Sequence, residues 1–118
     1  MIRLFVEPSD SNKSYTADES NQSQQNLFTR ACKFLNDDCE LVNDHRNTDW
    51  NEANKIDSNK NESSYKRFSK MLSKIHLYLH EKLKKADIVI FDKNFENDRN
   101  VYNEYLAAKF NGNKILII

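Results

Sequence analysis

The last third of this 118-residue chain carries its densest group of side chains suited to acid–base chemistry. They lie between an apolar run at 88–91 and a helical pattern: Asp92, Glu96, Asp98, Asn100 and Glu104. Most of them suit a solvated turn, and Asp98 suits a helix N-terminus, where the dipole favours an acid. Glu104 differs, because it follows Val101 by three residues and precedes Ala108 by four, beside the stripe that the helix buries. A carboxylate so close to a core needs a partner or a cavity.

Two acids at a partly desolvated site are what cleavage of an N-glycosidic bond requires. One carboxylate attacks or stabilises the anomeric carbon of the sugar, and a second acid protonates or orients the leaving base. We therefore expect Glu104 to be central to any chemistry. Trp50, in a polar segment, either stacks on a ligand base or pins its own loop. The candidate substrate-binding residues are Glu7, Ser9, Asp92, Asn100 and Trp50.

The elements that position these residues follow from the apolar periodicity. Short apolar runs predict strands over 2–6, 40–43, 87–91 and 114–118, and helical spacing predicts helices over 23–36, 64–85 and 100–111. The chain's one glycine, Gly112, is the expected stop of the last helix. The order β-α-β-α-β-α-β predicts one α/β domain over 1–118 with a parallel sheet. Polar loops are expected at about 9–22 and 44–63.

Composition limits the classes of partner. The formal net charge is 0 and the pI is about 6.8, so bulk charge attracts neither nucleic acid nor an anionic membrane. No apolar run approaches the roughly 20 residues of a membrane span. Cys32 and Cys39 are expected to be free thiols, and a cytoplasmic location follows from that and from the lack of a signal-peptide pattern at the N-terminus.

Neither a metal nor a cofactor is expected. With one glycine the chain has no glycine-rich phosphate loop of the usual form. His76 and His80 are four residues apart and share a helix face, but no cysteine or carboxylate cluster completes a metal site around them. The loop that begins at Glu7 and Ser9 could hold a phosphate near a helix N-terminus, although a plain polar loop is the simpler interpretation.

The C-terminal third resembles the nucleoside 2-deoxyribosyltransferases and the related nucleotide N-glycosidases. Three segments carry the resemblance: the strand A-D-I-V-I at 86–90, N-E-Y-L-A-A at 103–108 around the motif glutamate, and N-G-N-K-I at 111–115. The resemblance implies a flavodoxin-like parallel sheet, a homo-oligomer, and a nucleoside or nucleotide substrate. It also implies that Glu104 is the nucleophile and that Asp98 orients the sugar hydroxyls.

Two alternatives remain open. Asn103 and Leu106 replace glycines that flank the motif glutamate in the family, and Leu79 stands where the family has an aspartate. These departures favour a non-catalytic module that binds a nucleotide derivative or a protein. The same strand and helix pattern also resembles TIR-type domains, and that resemblance implies that Glu104 serves NAD processing. An apolar strand at 114–118 favours a homodimer or a larger assembly that covers it.

Overall fold

The computed structural model describes residues 1–9, 17–46 and 63–118. Within them the chain forms one four-stranded, all-parallel sheet in the order β2-β1-β3-β4. The strands are β1 (Ile2–Glu7), β2 (Cys39–Leu41), β3 (Ile88–Phe91) and β4 (Lys114–Ile117). The helices are α1 (Ala17–Leu35), α2 (Ser64–Lys85) and α3 (Arg99–Phe110), with a 3₁₀ turn at Phe95–Asn97. This is the α/β, flavodoxin-like architecture that the sequence predicts, with β1 in the centre.

The core lies on both faces of the sheet, because the side chains of buried parallel strands alternate between two covered faces. On one face Leu27 and Ala31 of α1 pack against Leu4, Val6 and Ile90. On the other face α2 and α3 cover the strands. The buried members of this second cluster are Phe5, Leu83, Val89, Phe91, Phe95, Val101 and Ala108.

Aromatic packing sets the position of α3. Phe95, in the turn after β3, lies 4.7 Å from Tyr105 between ring centroids, and Phe91 meets the same tyrosine edge-on at 5.8 Å. Aromatic pairs at these separations stabilise by more than their buried area alone. Gly112 then ends the helix with φ of +78°, which is the left-handed conformation that the sequence predicts at this glycine.

Several observed boundaries of helices and strands differ from the predicted ones. The bounds of α2 agree with the prediction, and the ends of the other helices and of the strands shift by about one or two residues. The predicted start of α1 was wrong by a larger margin than these shifts. The helix begins at Ala17 instead of residue 23, so residues 17–22 are helical and not part of a loop. That first stretch has no apolar periodicity, so apolar spacing does not mark it as helical. The rest of the two predicted loops falls mainly outside the described residues.

The strand order creates one special position at the carboxyl edge of the sheet. β1 lies between β2 and β3, so the connection from β1 leads to one side and the connection from β2 crosses to the other. In flavodoxin-like sheets this switch point opens a crevice in which ligands bind. Glu7 at the end of β1 and Asp92 after β3 both lie at this point. None of the described helices is long and apolar enough to cross a membrane.

Substitutions of Phe5 and Phe34 should distinguish a core position from a surface position. Phe5 is fully buried under α2 and α3, whereas Phe34 on α1 is 65% exposed. We expect Phe5→Ala to lower the free energy of unfolding by about 3–5 kcal/mol, because it removes transfer energy and leaves a cavity. Phe34→Ala should change it by no more than about 0.5 kcal/mol. Urea denaturation measures both, and equal losses would contradict the described packing.

Candidate active site

Two buried carboxyl groups meet at the carboxyl edge of the sheet. Glu7 ends β1 with its side chain 9% exposed, and Glu104 reaches it from the second turn of α3 within hydrogen-bonding range. The Oε2 atoms of both side chains are buried, with no hydrogen-bond partner among the described residues. Glu104 as a whole is half-buried, so it is the carboxyl end that is desolvated. An acid pair in this condition has unmet hydrogen-bonding capacity for a ligand.

Burial raises the pKa of Glu104 well above its ordinary value, because a buried carboxylate loses its hydration. The nearby Glu7 carboxyl adds to the rise through charge repulsion and through a hydrogen bond that favours the protonated form, and Asp98 adds a smaller repulsion. Glu104 therefore keeps its proton to a higher pH than an exposed glutamate does. A strongly perturbed acid in a cleft is a candidate for catalysis.

A histidine stands on the other side of Glu7. His45 follows β2, its side chain is 5% exposed, and its Nε2 lies 3.2 Å from Oε1 of Glu7. Glu7 thus lies between an imidazole and a second carboxyl group. The order His45, Glu7, Glu104 brings together residues from the ends of β2 and β1 and from α3.

Two buried amides fix the backbone around this group. Gln24 of α1 donates from Nε2 to the carbonyl oxygens of Val6 (3.1 Å) and Asn43 (2.9 Å), and its Oε1 accepts from the backbone N–H of His45 (3.0 Å). Asn43 accepts from the Val6 N–H (2.8 Å) and donates back to the Val6 carbonyl (2.9 Å). These bonds continue the pairing of β1 and β2 past the last strand residue and hold the loop that bears the histidine.

Asp98 begins α3 as its capping residue. Its Oδ1 accepts from the backbone N–H groups of Asn100 (3.1 Å) and Val101 (3.3 Å). This confirms the expected position at the helix N-terminus, where an acid satisfies free N–H groups. The same residue lines the cleft beside Glu104, so its structural role and its expected role in orienting a sugar are compatible.

A cleft of about 1200 Å³ opens from the acid pair and runs between α2 and α3. Its inner end is polar, with the acid pair, His45 and Ser9. One wall is the apolar stripe of α2, and the other is the polar side of α3. The wall residues are Phe68, Met71, Leu72, Ile75, Leu79, Asn100, Asn103, Ala107 and Phe110. Pockets with apolar walls and a few convergent polar groups are typical of small-molecule sites.

The expected substrate-binding residues fall into three groups. Glu7, Ser9 and Asn100 line the cleft with the expected catalytic pair. Asp92 does not line it, because its carboxylate accepts from the Ser9 backbone N–H (2.7 Å) and from the Ser9 hydroxyl, and so ties the loop after β1 to the loop after β3. Trp50 lies outside the described residues.

Sequence reasoning missed His45, Gln24 and Asn43. The histidine lies next to a weak strand in a polar stretch, and nothing local marks it as buried. A signal existed for Gln24, since it precedes Leu27 by three residues and Ala31 by seven on the buried face of α1. Among the described residues no group of three or more His, Cys, Asp or Glu side chains is arranged to hold a metal ion. Cys32 and Cys39 are free thiols, as expected.

Comparisons of the chain with family models, with curated proteins and with solved structures gave no match. The resemblance of the C-terminal third to the deoxyribosyltransferases therefore stays a hypothesis that rests on the residues themselves.

The acid pair should make stability depend on pH. Glu104 keeps its proton to higher pH in the folded chain than in the unfolded one, so the free energy of unfolding falls as pH rises from about 4.5 towards the raised folded pKa. Each unit of difference between the two pKa values corresponds to about 1.4 kcal/mol. Glu104→Gln cannot ionise, so it should lose less stability between pH 5 and pH 8 than the wild type. Urea denaturation at both pH values measures this.

The matched control is Glu96→Gln, because Glu96 is exposed and lies outside the cleft. Its loss of stability between the two pH values should equal that of the wild type. If Glu104→Gln also follows the wild-type curve, the carboxyl of Glu104 is not desolvated as described.

Proposed function

We propose that the protein cleaves or transfers at the N-glycosidic bond of a nucleoside or nucleotide, with Glu104 as the nucleophile. The observation that supports this is the pair of buried carboxyl groups, Glu7 and Glu104, at the inner end of a cleft on the switch point of the sheet. N-glycosidic cleavage needs one ionised acid and one protonated acid in the same place. A pair that shares one proton supplies both.

The proton arrangement decides which acid can attack. Two carboxyl groups in hydrogen-bonding range resist double ionisation, so the pair gives up its second proton at a higher pH than a lone exposed carboxyl does. At rest that proton favours Glu104. Transfer of the proton across the shared hydrogen bond to Glu7 leaves Glu104 ionised. Positive charge that develops on the sugar ring stabilises this second arrangement, because the carboxylate then faces an opposite charge.

The reaction balances in two halves. In the first, the carbon–nitrogen bond breaks, a carboxylate oxygen of Glu104 bonds to the anomeric carbon, and the leaving base takes the pair's proton. In the second, water attacks the anomeric carbon, the ester bond breaks, and a proton from the water returns to the pair. A second base that bears an N–H group can take the place of water, and the outcome is then transfer instead of hydrolysis.

The walls of the cleft offer contacts for the sugar and the base of the substrate. Asp98 and Asn100 lie at the rim beside Glu104, where they are suited to hydrogen-bond sugar hydroxyl groups. The apolar stripe of α2, with Phe68, Leu72 and Ile75, offers a surface for a flat base. Amides on the α3 wall, such as Asn103, offer donors and acceptors for its edge.

A non-catalytic binding module is the second candidate, and a specific observation favours it. Ser9 and Asp92 bond to each other, and Asp98 caps α3, so three of the expected site residues already have structural partners. A cleft that only binds a ligand does not need further acids that are free for catalysis. A TIR-like domain that processes NAD is the third candidate. NAD is therefore included in the turnover assay that tests the other two candidates.

Turnover separates these candidates. Base release from a panel of nucleosides, nucleotides and NAD, followed by chromatography, should be detectable with the wild type. We expect Glu104→Gln to reduce kcat/KM by at least about a hundredfold, because the amide can neither attack nor carry the mobile proton. The panel member that is turned over identifies the substrate and distinguishes the nucleoside hypothesis from the NAD hypothesis.

Glu96→Gln is again the control and should keep wild-type turnover, since Glu96 lies outside the cleft. If no compound is turned over but one raises the melting temperature, the binding module is the correct function. If turnover is unchanged in Glu104→Gln, Glu104 is not the nucleophile.

We also propose a cytoplasmic homodimer or larger homo-oligomer. Exposed apolar side chains support this: Phe110 at the end of α3 is 97% exposed, Leu106 is 45% exposed, and Ile117 on the edge strand β4 is 39% exposed. Sedimentation at micromolar concentration should give a mass above that of one chain, and Phe110→Ser should shift the distribution towards the monomer. A monodisperse wild-type monomer would overturn the proposed assembly.

A further inference from the structure

We propose that His45 is a positioning residue for the acid pair: held in place by Gln24, its imidazole keeps the negative charge on Glu7 and the shared proton on Glu104. The inference rests on the proposed function for its meaning in catalysis. It adds a residue outside the motif that suggested that function. The charge distribution itself can be tested whether or not the protein is an enzyme.

The first support is the contact with Glu7. His45 Nε2 lies 3.2 Å from Glu7 Oε1, and both side chains are almost fully buried. An imidazole this close to a carboxylate favours the ionised form of that carboxylate when the ring carries a proton, and burial strengthens the interaction. On the side of Glu104, the further charge that acts on the carboxyl within the described chain is the acid Asp98. The two carboxyl groups therefore lie in unequal environments.

The second support is the way the histidine is held. The backbone N–H of His45 is bound by Gln24 Oε1, and the two donors of the same amide bind the Val6 and Asn43 carbonyl oxygens. Gln24 is fully buried, and its amide oxygen and both amide hydrogens serve this loop and the end of β1. One side chain thus sets the distance between the strand that carries Glu7 and the loop that carries His45.

The third support is the set of charges around the pair. β1 contributes Glu7, α3 contributes Glu104 and Asp98, and the loop after β2 contributes His45. His76 and His80 of α2 line the same cleft but lie nearer to solvent than His45. Asp44, next to His45, is ion-paired with Arg46 at 2.8 Å. His45 is therefore the buried basic group that contacts the pair among the described residues.

Loss of the imidazole should change the titration midpoint of Glu104 in one direction. Without the imidazole, the carboxylate of Glu7 loses its contact at 3.2 Å, so the shared proton moves towards Glu7 and Glu104 ionises at lower pH. We expect the titration midpoint of Glu104 to fall by about one to two pH units, the size typical of one close polar contact to a charged group.

The test is a carboxyl titration by carbon-13 NMR on protein labelled at glutamate. The resonance of Glu104 is the one that disappears in Glu104→Gln. Two substitutions form a matched pair: the amide N–H of His45→Gln can reach Glu7, and the shorter side chain of His45→Asn cannot. Both keep the backbone N–H that Gln24 binds. His45→Gln should keep the Glu104 midpoint near the wild-type value, and His45→Asn should lower it.

Gln24→Leu tests the support, with the exposed Gln22→Leu on the same helix as its control. Gln24→Leu should lower the Glu104 midpoint in the same direction as His45→Asn, and Gln22→Leu should leave it unchanged. An unchanged midpoint in a folded His45→Asn protein would overturn the proposal, as would equal midpoints for His45→Asn and His45→Gln. Should His45→Asn fail to fold, the comparison of Gln24→Leu with Gln22→Leu decides the proposal, and equal midpoints in these two proteins would overturn it.

Turnover adds an independent readout. In an active enzyme, the pH profile of kcat/KM should shift to higher pH in His45→Asn, because the pair as a whole binds its protons more tightly once the carboxylate of Glu7 has lost the imidazole, and it should return towards the wild type in His45→Gln. If no substrate is turned over, the proposed function fails while the carboxyl titration still decides the role of His45. If turnover occurs and the titration does not move, only the role of His45 fails.

Discussion

The buried contact between Glu7 and Glu104 is the constraint on which the rest of this structure depends. Two acids at low dielectric repel each other once both are ionised, and repulsion from Glu7 contributes to the raised pKa of Glu104. A proton on one of the two carboxyl groups removes that repulsion. Stability and charge at this edge are therefore linked, and both depend on pH.

The surrounding structure is organised to keep that pair in place. From the side of β2, Gln24 and Asn43 satisfy one another and the backbone of Val6, so a strand end that would otherwise leave polar groups unpaired is closed. From the side of β3, Ser9 and Asp92 join the two neighbouring loops. Such rigid support is what a site needs when a misplacement of about 1 Å costs most of its function.

The sequence predicts the fold better than it predicts the site. Strands and helices follow from apolar spacing, and the position of Glu104 beside a buried stripe follows from the same count. Apolar spacing cannot predict which residues Glu104 contacts. Glu7 and Glu104 are 97 residues apart, and His45 comes from a third segment, so their contact depends on strand order and on helix packing. The start of α1 was misplaced for a related reason, since polar helical residues leave no periodic signal.

The contrast between Asp92 and Glu104 shows why carboxylates that are close in the sequence differ in meaning. Both come from the acid-rich stretch after β3. The Asp92 carboxylate accepts hydrogen bonds from Ser9 and from the Asn94 N–H, so its charge is compensated within the loops. Glu104 instead projects a desolvated carboxyl towards another acid. Stability alone would favour an apolar residue at this position, because burial of an acid beside an acid is costly. This cost is what the ligand of the proposed function would offset.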